Sequence, residues 1–252
     1  MRIATFNILS GRTPGGDRVD EERFTDAVRT LDADVLGLQE VDRNQARSQH
    51  ADLTALAAEA MGAREHRFVA ALSGTPGETW SAATGAEQPD TAAYGVALLS
   101  RYPVHEWGTV RLPPVPVPAP HRWHGRRLPG LVHDEPRVAV LADVETPHGR
   151  VRVANTHLSF LRWWNGHQLG VLLHTLRRQP EPLLLMGDLN MPAARAARLT
   201  RMRALATGAT FPADAPTEQI DHLLARGPLP AARGSVVGLP TSDHRALVAD
   251  LG

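Results

Sequence analysis

Along this chain, apolar runs repeatedly end on or just beside a polar side chain. "TFNIL" carries Asn7, "GLQEV" carries Glu40 and "NTHLS" carries His157, while "LLLMGDLN" delivers Asp188 and Asn190 two positions apart. Further on, "QIDHLLA" carries Asp221, and "TSDHRALVADL" carries Asp243 and His244. These oxygen- and imidazole-bearing groups can move protons and hold a cation. In open α/β sheets, ligands bind beyond the carboxyl ends of strands, because side chains from several strands converge there. The sequence has neither a serine nucleophile elbow nor a glycine-rich nucleotide loop.

Each residue also has an ordinary structural reading. Asn7 can be a turn residue and Glu40 can precede a helix. His157 can be a satisfied core histidine, and Asp243–His244 a turn pair. Asn190, just before Pro192, can cap the next helix, whereas Asp188 lies too early to do so. Asp221 is the hardest to explain structurally. It sits within an apolar run, where an unpaired carboxylate costs several kcal/mol, and a histidine is its natural partner.

The elements that must position these groups alternate. "RIATFNI" and "DVLGLQEV" read as buried strands, with a helix between them that Asp20 can cap and that repeats Phe24, Ala27, Val28 and Leu31. "ADLTALAAEAM" reads as a helix and "YGVALLSRYP" as a strand stopped by Pro103. "RVAVLADVETPHGRVRVANTHL" reads as a long hairpin around Pro147-His148-Gly149. A helix bearing Leu169, Leu172, Leu173 and Leu176 follows, then the Asp188 strand, a helix from about Pro192, and short strands. Hairpins mixed with strand–helix units predict an α/β (α+β) arrangement of two packed mixed sheets with helices outside. Residues 73–92 and 112–136 read as loops. The second holds three histidines and three arginines, and a loop of that length inside a compact domain is either a site cover or a solvated excursion.

The chain has 252 residues, enough for a single domain with an ample core, so residues 1–252 are expected to form one domain. Arginines and acids balance at 27 each, leaving no overall field to draw in nucleic acid or an anionic membrane. With no cysteine, disulfides and thiolate metal sites are excluded. The start passes directly into a strand pattern without a leader, and no run is long enough to span a membrane. A cytoplasmic monomer is the expectation.

Seven blocks in order, "TFNIL", "GLQEV", "YGVALLSRYP", "NTHLS", "MGDLNM", "IDHLLA" and "SDHRALVADL", resemble the endonuclease/exonuclease/phosphatase superfamily. The resemblance runs from Ile3 to Leu251. It implies an α/β (α+β) four-layer sandwich of the DNase I-like kind and metal-assisted hydrolysis of a phosphoester by water attacking in line. By the same resemblance, Glu40 is the main metal ligand, Asn7 assists and Asp243 contributes. Few ligands, all oxygen, suit Mg²⁺ or Mn²⁺ better than Zn²⁺. Asp188 would orient or deprotonate the attacking water, and Asn190 would donate to a phosphoryl oxygen. His244, held by Asp221, would contact the scissile phosphate, and His157 would clamp phosphate or protonate the leaving group. A phosphodiesterase or nuclease is the leading expectation. A phosphatase or phospholipase C-type enzyme on a small or lipid phosphoester comes second, and a non-catalytic binding module third. Tyr94 can line the site, and Arg137 can touch phosphate or pair with Asp143 or Glu135. Trp163 and Trp164 can form a lip or anchor a helix, and Arg195, Arg198 and Arg201 can share a helix side.

Overall fold

The computed structural model describes residues 1–16, 18–88, 90–121 and 130–252. Strands β1 (Arg2–Asn7) and β2 (Val35–Arg43) lie parallel, joined through helix α1 (Glu21–Leu31). Asp20 caps α1 by accepting from the Arg23 amide, and Phe24, Ala27, Val28 and Leu31 form its buried stripe. Helix α2 (Leu53–Met61) is capped in the same way by Asp52. There follow β3 (Glu65–Gly74), β4 (Trp80–Ala82), β5 (Ala93–Ser100), β6 (Val104–Leu112), β7 (Ala119–His121), β8 (Gly130–Val132), β9 (Arg137–Thr146) and β10 (Gly149–His157). The chain closes with α3 (Arg162–Leu176), β11 (Leu183–Asp188), α4 (Ala193–Thr200), β12 (Arg203–Ala204), β13 (Asp221–Arg226), β14 (Ala232–Val237) and β15 (Ala246–Leu251).

One sheet has the order β14-β15-β1-β2-β5-β3-β4, the other β12-β13-β11-β10-β9-β6, and β7–β8 is a separate hairpin. Ile3, Val35 and Leu98 of the first sheet meet Val140, Val153, Met186 and Leu223 of the second in the central core. The next residue along each strand turns outward. Ala4 and Leu36 face Phe24 and Leu53 of the helices, while Leu141 and Leu185 face Leu169 and Leu172. Strands covered on both faces read as continuous apolar runs, which is why these were legible. The result is helices, sheet, sheet, helices.

The sheets approach closely where Gly37 faces across the interface, since a Cβ there would crowd Met186 and Asn155. Asn155, fully buried, stitches the sheets together. Its Nδ2 donates to the Leu38 and Ala97 carbonyls at 2.9 and 2.8 Å, and its Oδ1 accepts from Gln39 Nε2 at 2.6 Å. No helix among the described residues is long and apolar enough to cross a membrane.

Four readings of the sequence change. The 112–136 segment, read as a loop, supplies strands β7 and β8, which pair with each other. Strands β3 and β6 were not anticipated. The 73–92 segment supplies the end of β3 and β4, which pair with each other. Asp243 and His244 stand in the turn before β15 rather than at its start.

Candidate active site

Neighbouring strands of the second sheet set three functional groups in a row. His157 ends β10, Asp188 ends β11 and Asp221 opens β13, with His157 opposite Asp188 and Asp188 opposite Asp221 in the register. A glycine is required just before Asp188. Gly187 has φ +133°, and a Cβ there would collide with the Thr156 carbonyl oxygen on β10. From the first sheet, Asn7 closes the gap between the layers. Its Nδ2 donates to Glu40 Oε1 and to Asp188 Oδ2, both at 3.1 Å, while its Oδ1 accepts from the Leu9 amide at 3.2 Å.

Glu40 reaches the site through a backbone irregularity. The β2–β5 register shifts between Leu38 and Val41, and Glu40 adopts φ +56° there. Such bulges re-aim a side chain and are common beside functional sites, at a cost of about 1–3 kcal/mol for the left-handed residue. Asn190 has φ +49° and Ser242 has φ +71°. Asn190 does not cap α4, which begins after Pro192 with no side-chain cap. Its backbone N–H donates to Asp188 Oδ1 at 2.8 Å and its Nδ2 to the Leu158 carbonyl at 2.9 Å. The Ser242 hydroxyl donates to the Asn7 carbonyl at 2.6 Å and accepts from the His244 amide, holding His244 over the strand ends.

The two histidines are tuned in opposite directions. His244 Nδ1 donates to Asp221 Oδ2 at 2.9 Å. Burial alone would favour its neutral ring, but the Asp221 carboxylate outweighs this and holds the ring up at about 10. His157 is held well below its ordinary range by burial, by Arg137 and by His244. Arg137 Nη1 lies 3.1 Å from His157 Nδ1. A guanidinium only donates, so Nδ1 accepts from Arg137, while the Asn190 side-chain amide nitrogen, also a donor, lies 3.2 Å from Nε2. Nε2 lies 3.6 Å from Asp188 Oδ2. Asp188 itself, 1% exposed, is raised to about 7 by burial and by Asp221. Burial likewise raises Glu40, against the opposing effect of its Asn7 hydrogen bond.

Glu40, His157, Asp188, Asn190 and His244 line one cavity of about 710 Å³. Asn7 and Asp221 support it from below, hydrogen-bonded to Asp188 and His244. Asp243 is close enough for its charge to act on Glu40 and His244, yet it lines a neighbouring hollow with Leu9 and Arg12. Tyr94 lines the cavity. Arg137 pairs with Asp134 at 3.0 Å and Glu135 at 3.6 Å, while Asp143 takes Arg152 instead. Asp134, and Arg137's grip on His157, had no signal in spacing or periodicity. The 112–136 segment also contributes Leu131, Val132, His133 and Glu135 to the lining; its Arg122, His124, Arg126 and Arg127 lie outside the described residues. Trp164 anchors through Nε1 to the Pro113 carbonyl, whereas Trp163 is exposed. Arg195 donates to the Arg162 carbonyl.

Two sheets packed face to face, with polar residues from both converging at one end, define a two-sheet sandwich with a polar cavity at its edge. The family model described as Endonuclease/Exonuclease/phosphatase family matches residues 4–244, and the chain belongs to this family, whose members hydrolyse phosphoesters. Among solved structures, the endonuclease/exonuclease/phosphatase from Beutenbergia cavernae DSM 12333 is 23% identical with TM-score 0.68, covering 100% of this chain and 72% of that one. A functionally unknown conserved protein from Enterococcus faecalis V583 is 19% identical with TM-score 0.70, covering 100% and 99%. The mannosyl-6-phosphatase Bt3783 of Bacteroides thetaiotaomicron VPI-5482 is 16% identical with TM-score 0.64, covering 100% and 99%. These neighbours share the DNase I-like fold. No curated protein matches the chain.

Proposed function

We propose that the protein is a divalent-metal-dependent phosphoester hydrolase that cleaves a phosphodiester or phosphomonoester by in-line attack of water. The observation that carries this is the Asn7 amide joining Glu40 of one sheet to Asp188 of the other, beside an imidazolium and a neutral imidazole. Asp188, Asp221 and His244 offer ligand atoms within 4.8 Å of one another. His244 is an unsuitable ligand, since Nδ1 serves Asp221 and the ring holds its proton. That leaves carboxylates, and all-oxygen donors suit Mg²⁺ or Mn²⁺. Glu40 would be the main holder, with Asp243 near enough to contribute. Asn7 would offer oxygen only if its amide turned over and released the Leu9 N–H.

When bound, the cation supplies Lewis-acid polarisation of the phosphoryl or leaving oxygen. Asp188, its Oδ1 fixed by the Asn190 amide, uses Oδ2 to orient and deprotonate the attacking water. Protonated His244 donates to a phosphoryl oxygen, with Asp221 fixing the ring's orientation and charge. His157, pinned at Nδ1 by Arg137, presents Nε2 to the phosphate or the leaving oxygen. Asn190 Nδ2, which donates to the Leu158 carbonyl and lies 3.2 Å from His157 Nε2, would turn one hydrogen to a non-bridging oxygen as the phosphate arrives.

A balanced net charge and a cavity of about 710 Å³ favour a small ester over a long polymer. The family's nuclease members support the second reading, cleavage of nucleic acid. Turnover of bis(4-nitrophenyl) phosphate, followed with and without chelator, tests the hydrolase. Activity restored by Mg²⁺ or Mn²⁺ supports it; full activity in excess chelator contradicts the metal. A salt titration separates the substrates, because affinity for a polymer falls steeply as counterions compete.

A further inference from the structure

A second hollow, of about 550 Å³, shares no lining residue with the catalytic cavity and lies where β3 of one sheet meets β6 at the edge of the other. Three cations line it from three strands: Arg43 at the end of β2, Arg67 in β3 and Arg111 in β6. We infer that this hollow binds a small, multiply charged oxyanion, phosphate or the phosphoryl group of a compact molecule, outside the catalytic cavity. Such a site stands apart from the hydrolase reading and goes beyond it.

These cations are held in place yet lack a counter-charge. The Arg43 guanidinium lies 5.0 Å from the Phe68 ring centre, and that of Arg67 lies 5.4 Å from the Trp107 ring centre. Stacking on a ring leaves the guanidinium edge, which carries the N–H donors, free to face an anion. Arg111 Nη1 donates to the Ala70 carbonyl at 3.2 Å, and Arg43 Nη2 lies 3.5 Å from the Gln88 carbonyl. None of the three is in an ion pair among the described residues. Other surface arginines do find acids: Arg29, Arg101 and Arg226 pair with Asp26, Asp32 and Glu181 at 2.7, 2.9 and 2.7 Å. Glu87, the carboxylate in the lining, is turned onto its own loop. Its Oε1 accepts from the Thr84 amide and hydroxyl, and its Oε2 from the Gly85 amide at 2.9 Å.

Three guanidinium forks on one hollow suit the oxygens of a phosphoryl group, and Thr109 adds an exposed hydroxyl. The hollow's size fits a small ligand. A nucleic-acid backbone running from here to the catalytic cavity would follow the segment that borders both, which gives Glu78 to the cavity and Glu87 to the hollow. Residues 74–93 contain no basic residue and carry Glu78, Glu87 and Asp90, so they repel a phosphate chain. A membrane surface is disfavoured as well. Insertion needs apolar side chains beside the basic ones, and none of the exposed large ones, Val117, Leu131, Trp163 and Leu199, lines the hollow.

The test titrates the full chain, metal-free and at low ionic strength, with pyrophosphate, inorganic phosphate, glycerol 3-phosphate and a short DNA oligonucleotide, followed by calorimetry. Wild type is compared with His244→Gln, which removes a phosphate donor of the catalytic cavity. Both should show a pyrophosphate site that the double substitution Arg67→Gln/Arg111→Gln weakens by about tenfold or more. That double variant should melt as wild type does and keep its turnover of bis(4-nitrophenyl) phosphate. Glycerol 3-phosphate bound more tightly than inorganic phosphate identifies a phosphorylated molecule as the ligand, and equal or weaker binding identifies free phosphate; either supports the site. No binding of pyrophosphate, binding indifferent to the two arginine substitutions, or tighter arginine-dependent binding of the oligonucleotide overturns the inference. Any of these leaves the hydrolase reading untouched, and a protein that cleaves no ester leaves this site standing.

Discussion

In the proposed mechanism Asp188 acts as an anion, in a place where burial and Asp221 hold its carboxyl up at about 7, against an ordinary 3.8. The folded state therefore binds this proton more tightly than the unfolded chain. The stability it contributes is fully present below pH 3.8 and is lost as pH rises to about 7. His244, raised from 6.5 to about 10, contributes stability that is full below 6.5 and lost on the way to 10. The metal-free protein should therefore lose stability from mildly acidic to alkaline pH, measurable by denaturant titration at several pH values. Asp188→Asn should flatten the acidic half of this fall and leave the protein more stable than wild type near pH 8, by a few kcal/mol at most. An unchanged pH profile in that variant would contradict the burial argument. Asp188, His157 and His244 were legible because acids and imidazoles at the ends of apolar runs have few structural uses. Arg137 was named as a partner of Glu135, but its contact with His157 and its pairing with Asp134 were not legible, because only the folded register brings these groups together.

At the scale of the element, β2 and β10 do most of the positioning. The bulge in β2 gives Glu40 its φ of +56° and points it into the cavity. Glu40→Gln keeps the backbone and removes the charge, so it should leave the fold intact, weaken Mn²⁺ binding by at least about tenfold and abolish turnover; calorimetric titration with Mn²⁺ checks it. Asn155 in β10 satisfies groups on two strands of the opposite sheet. Asn155→Leu leaves those buried groups unpaired and should cost about 2–4 kcal/mol, readable as a lowered denaturation midpoint. Strands buried on both faces were plain in the sequence. Strand β3 was not, because its first four residues are largely open to solvent and only its middle is buried, which breaks both the run and the alternation. The bulge at Glu40 was likewise invisible, since Leu-Gln-Glu-Val contains no glycine to mark a positive φ.

The whole molecule brings the site together by pressing two sheets against each other. Val35, Leu98, Val153 and Met186 of the shared core lie behind Asn7 and Asp188. We infer that the chain unfolds as one unit, because neither sheet keeps its inner face covered without the other. A single thermal transition with matching calorimetric and van't Hoff enthalpies is the predicted outcome; two separated transitions would contradict it. The sandwich and the convergence of polar residues at one end were legible in the order of the seven motifs, whereas the contribution of the 131–135 stretch to the cavity required the folded chain. In the proposed reaction, Asp188 acts on water beside a metal-held phosphoester. The most direct measurement is kcat of Asp188→Asn on bis(4-nitrophenyl) phosphate at saturating Mg²⁺. We predict a loss of about 10³-fold or more in a protein that melts at least as high as wild type, and a rate within threefold of wild type would contradict the account.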